Sequence, residues 1–289
     1  MDKSLQIVIT GASGFVAKNL RKFLSEKNVH LISISRKNFK SFKNETKIIS
    51  KNYDQKSILP KIKNSDAIIH LIGIGKESVK TDYESINVQL TQKIVNLSKK
   101  AKIKKFVYTS GLGVSDVTSI GYFISKLKAE KSVIDSKLNY TIFRPSYIVG
   151  KDDLFTKYLK KSIKKNKIVI PGSGEFSIQP IYIEDVTKLI FQSIIDKKFN
   201  NKTLDLVGPE IISFEKYIQL FIQNKKIKLH HIDIEDAYHL AINDSKFDYG
   251  VDDLNILVGN FVGDHKKLRN LSQMNFKSVK ELLKTGALL

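Results

Sequence analysis

A short apolar run that ends in a glycine turn constrains this chain more than any other feature. Residues 5–10 (LQIVIT) are aliphatic and β-branched, and GASGFVA follows at once, with Gly11, Gly14 and Ala17 at a G-x-x-G-x-x-A spacing. Apolar residues then recur at helical intervals over residues 15–25. The pattern predicts a strand, a tight turn and a helix. Glycine at 11 lets the chain turn sharply, glycine at 14 lets backbone N–H groups approach a pyrophosphate, and Ala17 lets helix and strand pack closely. The helix start then faces an anion with unpaired donors and the positive end of its dipole. At the first strand–helix junction such a turn points to a dinucleotide, with Gly11, Ser13, Gly14, Phe15 and Val16 as its contacts.

The rhythm continues. Strands are expected at 30–35, 47–50, 67–72, 106–110 and 140–144, and helices at 55–62 (interrupted by Pro60), 84–101 and 122–136. Alternation at this spacing implies right-handed crossovers and a parallel sheet covered on both faces. The expected fold is α/β, a Rossmann-type doubly wound parallel sheet with a smaller C-terminal α/β lobe. After Pro145 the pattern changes: a basic helix near 153–165, a strand near 168–170, a turn at 171–174, a helix at 184–196, a strand at 203–207, a helix at 214–223 and a polar, less regular tail. Residues 1–150 are read as the nucleotide-binding domain, with 175–200 returning to it, and 151–289 as the smaller substrate or partner lobe, interleaved with the first.

At 289 residues the chain is long enough for both parts. It has no cysteine, which excludes disulfides, thiolate metal sites and cysteine nucleophiles, and nothing points to an oxidising compartment. Its apolar stretches are far shorter than the roughly 20 residues of a membrane-spanning helix. A cytoplasmic location is expected, with peripheral association to a membrane as an option. The net charge of +20 comes from lysines scattered through nearly every segment, so it reads as compositional bias, and nucleic acid is not an expected partner.

At the end of the second strand a site that prefers NAD offers Asp or Glu to the adenosine ribose. This chain has Ser35-Arg36-Lys37 there. Arg36 can stack on adenine and pair with a 2′-phosphate, so NADP(H) is the expected cofactor, with NAD(H) as the other option. Backbone around Leu71, Ile72 and Gly73, and around Pro145 and Ile148, should line the cofactor cleft at the C-terminal ends of the strands.

The stretches ITGASGFVA, SDAIIHLIG, Asn87-Val-Gln-Leu-Thr91, KKFVYTSGLGV, Tyr122-Phe-Ile-Ser-Lys126, TIFRPSYIVG and PGSGEFSIQPIYIEDV together resemble the short-chain dehydrogenase/reductase superfamily, in its extended, epimerase/dehydratase-like branch. They span about residues 5–190. The resemblance implies that Tyr122 is the general acid/base of hydride transfer. Tyr122 and Lys126 also share a helix face at i and i+4, where the ammonium can lower the phenol pKa and hold the nicotinamide ribose. It implies, too, a Ser or Thr shortly after the fifth strand to bind the reacting oxygen. That position falls on Gly111, so either Ser110, or Thr109 beside the cofactor, substitutes with a shifted geometry, or the contact to the reacting oxygen is lost. In the second half, LDLVGPEIISFEKYIQLF (204–221) and DDLNILVGNFVGDHKKLRNL (252–271) are similar to the subgroup related to the nucleotide-binding accessory subunit of respiratory complex I, which implies that NADPH can be held without turnover and that a respiratory complex or membrane surface can be a partner. Other relatives act on nucleotide sugars, quinones or small carbonyl compounds, so the small-molecule substrate stays open.

The remaining polar residues have structural readings. His70 lies in an apolar strand and should be buried and satisfied, while His230 and His231 would point to opposite faces of a strand, so no metal site is expected. Glu184 and Asp185 read as helix-start acids and Asp66 as a turn residue. Helices 84–101 and 122–136 expose several lysines, which makes a monomer plausible.

Overall fold

A computed structural model describes residues 4–223 and 225–288. In chain order the first elements are β1 (Leu5–Thr10), α1 (Phe15–Ser25), β2 (Val29–Ser35), β3 (Glu45–Ile49), α2 (Gln55–Ile62), β4 (Ala67–His70), α3 (Leu90–Lys100), β5 (Lys105–Thr109), α4 (Gly121–Asp135) and β6 (Tyr140–Pro145). The helix expected over 84–101 opens as a π-helical turn, Glu84–Gln89, before becoming α3. Pro60 does not interrupt α2: the helix is only eight residues long, is capped by the Asp54 carboxylate on the Ser57 N–H, and absorbs one missing donor.

Seven strands form one sheet, in the order Lys202–Leu206, β6, β5, β4, β1, β2, β3, and the β1 to β6 pairs are parallel. Alternate residues decide which helix each face receives. Val8, Ile32, Ile68, Phe106 and Ile142 face α2, α3 and α4, where Ile58, Ile94 and Val133 close the layer. Ile7, Ile9, Leu31 and Val107 are buried on the opposite face. The helix Ile183–Ile195 returns to that face beside α1, with the Phe23 and Phe191 rings 6.0 Å apart. The sheet is therefore doubly wound, and its strand order reverses between β1 and β4. At such a point the loops leaving neighbouring strands diverge and open a cleft.

By contacts the chain forms two compact units. The first contains residues up to Arg144 together with Glu184–Leu204, and the second contains Pro145–Ile183 and the residues from Asp205 onward. The returning segment of the first unit is fastened by Lys105, only 4% exposed. Its ammonium donates to Asn139 Oδ1, Asn200 Oδ1 (2.8 Å) and the carbonyls of Tyr140 and Phe199. Thr141 donates to the same Phe199 carbonyl at 2.7 Å.

In the second unit the strands Lys167–Pro171 and Lys228–Ile232 run parallel, and Phe155 stacks on Phe214 with ring centres 5.1 Å apart. The tail, expected to be irregular, forms four short helices: Ile234–Asn243, Val251–Val258, His265–Ser272 and Val279–Lys284. Each spans fewer than three turns, so its apolar spacing is too brief to read. Side-chain caps open two of them: Asp264 accepts the Lys267 N–H, and Ser278 and Glu281 bond reciprocally across a first turn.

Candidate active site

The glycine turn bridges β1 and α1 as its spacing requires. Gly11 has φ +77°, and a Cβ there would meet the Leu71 carbonyl group at 3.2 Å and Ile72 Cγ1 at 3.1 Å, so this backbone tolerates only glycine. The Gly14 N–H donates to the Gly11 carbonyl (2.9 Å) and the Ala12 N–H to the Ile34 carbonyl (3.1 Å), which fixes the turn against β2. Gly14 is the N-cap of α1, which has no side-chain cap and no acid in its first turn. Ser13 and Gly14 are exposed and Phe15 and Val16 half-buried. A helix start built this way leaves its first N–H groups to an anion. Ser35 reaches across from β2 to Ser13, Oγ to Oγ at 3.0 Å, and accepts the Lys37 N–H; Arg36 and Lys37 are exposed.

β4 ends at His70, two residues earlier than expected; the Leu71 N–H still bonds the Thr10 carbonyl, and residues 72–75 continue as an irregular loop. Asn87, fully buried in the π-helical turn, holds that loop. Its Oδ1 accepts the Ile74 N–H (2.9 Å), and its Nδ2 donates to the Ile74 carbonyl and to Ser125 Oγ in α4, both at 3.0 Å. Ser125 in turn donates to the Tyr122 carbonyl. Asn87 thus ties the glycine loop to the helix that carries the tyrosine. The sequence marked it only within a matching stretch; a polar residue on the inner face of a helix was the available signal.

Lys126 is 4% exposed and points under the same loop, where a Cβ on Gly73 would lie 2.7 Å from Nζ. It donates to the Thr109 carbonyl (3.3 Å) and lies 5.3 Å from the Tyr108 ring centre and 5.9 Å from that of Tyr122. Burial pushes its ammonium down to about 8, opposed by Glu130. The Tyr122 ring packs edge-on against Tyr83, and its hydroxyl faces Gly111, where a Cβ would come within 3.0 Å of it. Burial pushes this phenol up to about 12. The expectation that Lys126 lowers it is reversed here, because desolvation of the phenolate outweighs an ammonium that stands off the ring and is itself desolvated. Ser110 Oγ and Thr109 Oγ1 are buried with no hydrogen-bond partner among the described residues.

Because the ordinary lysine value is 10.5, the unfolded chain binds more protons than the folded one between about pH 8 and 10.5, and stability rises with pH across that window. Lys126→Met removes the desolvated charge. It is expected to raise stability by about 1–3 kcal/mol at pH 7 and to flatten that part of the profile, as read from denaturant melts. A loss of stability would show that the contacts of the ammonium outweigh its desolvation.

Below the site His70 is fully buried, with Nδ1 2.7 Å from Thr10 Oγ1 and Nε2 3.1 Å from Thr91 Oγ1. Thr91 spends its own proton on the Asn87 carbonyl, so His70 donates from Nε2 and accepts from Thr10. Burial, aided by the Lys126 charge, drives the ring down to about 3, and it stays neutral. Asp66 accepts the Gln6 N–H in the turn before β4. Pro145 and Ile148 fall in the second unit, where Ile148 pairs with Ile181. His231 bonds the Gly172 carbonyl and pairs with Glu215 at 3.1 Å, and among the described residues no cluster of His, Asp and Glu could hold a metal.

Three features suit a nicotinamide dinucleotide. The α1 start has unspent donors, Gly73 and Gly111 keep side chains away from Lys126 and Tyr122, and Ser110 carries a buried hydroxyl without a partner. The first two would hold the pyrophosphate and the nicotinamide ribose.

Known proteins fit this geometry. The chain is 30% identical over 169 residues to the Mus musculus protein named NADH dehydrogenase (ubiquinone) 1 alpha subcomplex subunit 9, mitochondrial, a match over 57% of this chain that spans less than half of that protein, 45%. It is 25% identical over 270 residues to the Bacillus subtilis protein named uncharacterized UDP-glucose epimerase YtcB, with 79% of this chain and 85% of that one covered. Among solved structures, UDP-glucuronic acid 4-epimerase from Bacillus cereus, in complex with UDP-glucuronic acid and NAD, superposes with a TM-score of 0.77 at 18% identity, covering 97% of both chains. With residues 7–203 matching its model, more than half of its length, the chain belongs to the NAD dependent epimerase/dehydratase family.

Proposed function

We propose that the protein binds NADP(H) and acts by hydride transfer on a small carbonyl or hydroxyl substrate. The observation that carries this reading is the convergence of Tyr122 and Lys126 on a cradle lined by Gly73 and Gly111. When bound, the nicotinamide supplies or accepts a hydride. Tyr122 exchanges the matching proton with the substrate oxygen, and its value near 12 keeps it in the donating form at neutral pH. Lys126 holds the ribose hydroxyls beneath the loop that Asn87 fixes. Ser110 is the candidate to offer a hydroxyl to the reacting oxygen, since Gly111 has none.

Gly111 also favours a second reading, an accessory, assembly or sensor protein that holds NADPH and turns over little. The likeness to a respiratory-chain subunit supports association with a respiratory complex or a membrane surface. No helix of the described residues is long and apolar enough to cross a membrane. Cofactor retained through purification without turnover of any carbonyl substrate would favour this reading.

Calorimetric titration with NADPH and NADH tests the cofactor. NADPH is expected to bind about tenfold more tightly or better, through Arg36 and Lys37. Equal or tighter NADH binding overturns the preference, and binding of neither overturns the cofactor reading.

A further inference from the structure

One buried and heavily bonded charged side chain of the first unit has no part in the site described above. Arg21 projects from α1 and is 2% exposed. Its guanidinium makes a bidentate pair with Glu45, whose side chain is fully buried, and the second of these bonds is 2.7 Å long. It also donates to the Ala12 carbonyl in the glycine turn (3.0 Å) and to the Lys40 carbonyl (2.7 Å). The rings of Phe39 and Phe42 lie against it, 4.3 and 5.1 Å from the guanidinium carbon. Glu45 spends a further lone pair on the Phe42 N–H at 2.7 Å.

One side chain therefore joins the glycine turn to the irregular connection between β2 and β3. That connection carries Arg36 and Lys37 at its start and has no helix or strand of its own. Lys47 ties it from the strand side, through Asn38 Oδ1 (2.9 Å) and the Phe39 carbonyl. A buried ion pair of this kind adds little net stability, because desolvation consumes most of its attraction. What it adds is register between the segments it bonds.

We propose that Arg21, with Glu45, is a positioning residue for cofactor discrimination: it pre-orders the connection that presents Arg36 and Lys37, so that a 2′-phosphate meets cations already in place. This rests on the NADP(H) reading above. The glycine turn keeps two backbone bonds of its own, Gly14 N–H to Gly11 and Ala12 N–H to Ile34, whereas the connection has only the clamp and Lys47, so loss of the clamp should disturb the connection more than the pyrophosphate site. Pre-ordering lowers the entropic cost of binding only for the group that the ordered segment contacts.

The test is a cycle of full-length variants titrated with NADPH and NADH: wild type, Arg21→Met with Glu45→Met, Arg36→Ala, and all three changes together. The paired change removes both charges at once, and Arg21→Lys, which keeps the charge but not the fork, carries the same readouts if the paired variant does not fold. Expected is a loss of about tenfold in NADPH affinity, a clearly smaller one for NADH, which has the adenine but not the 2′-phosphate, and a much reduced further NADPH loss from the clamp change once Arg36 is gone, what remains being the share of Lys37. Trypsin should cut faster at Lys37, Lys40 and Lys43 in the clamp variants. Equal losses for both cofactors, retained discrimination, or additive effects with Arg36→Ala would overturn the role of Arg21. Wild-type protein that binds both cofactors alike overturns the reading of Arg36, and this inference with it, before any variant is compared.

Discussion

Tyr122→Phe is expected to leave NADPH affinity within about threefold of wild type and to lower turnover of any identified carbonyl or alcohol substrate by about 100- to 10,000-fold. The ring is held by packing against Tyr83 and Phe123, contacts that phenylalanine keeps. Only the hydroxyl is lost, and it faces Gly111, which places no side chain against it. A proton donor in that place acts on the transition state and hardly at all on cofactor binding, so kcat should fall while the cofactor titration stays almost unchanged. Steady-state kinetics beside calorimetry measures both. Unchanged turnover would remove Tyr122 as the acid/base and shift the weight to a cofactor-holding role.

Gly11→Val should have the largest effect on binding. The backbone at +77° is a region that β-branched residues avoid, and the added carbons would collide with the Leu71 carbonyl and Ile72. Relief of that collision has to displace either the glycine turn or the loop after β4, the two walls of the cleft. The expected outcome is a loss of NADPH and NADH affinity alike by about 100-fold or more, with about 1–3 kcal/mol lost in stability. Binding retained within tenfold would mean that the cofactor does not use this turn.

The glycine turn was legible in the sequence because its signal is local: strand, glycines and helix lie within 25 residues and each has its own physical cause. The sheet followed from the alternation of apolar runs, since a buried parallel strand needs both faces apolar. Less legible were the residues whose meaning depends on distant partners. Asn87 acts on residues 13 and 38 positions away, and Arg21 on acceptors 9, 19 and 24 positions away. No periodicity records such pairings. The pKa of Tyr122 escaped for a related reason: the i, i+4 spacing placed a lysine near it correctly but said nothing of the desolvation that outweighs the lysine. In the tail, helices of six to ten residues are too short to show a readable apolar stripe, and only local features such as the Asp264 and Ser278 caps mark where two of them begin.

Lys105 bears on how the chain is made. A ribosome releases β5 and β6 long before residues 199 and 200, yet half of the acceptors for this buried ammonium lie there. Until they emerge, the lysine must stay in water or remain buried with too few partners, so the edge of the sheet cannot close during synthesis of the first 150 residues. The smallest piece of this chain able to complete the sheet therefore runs at least through its edge strand, to Leu206, and it has to carry the intervening segment 145–183 along as an insertion.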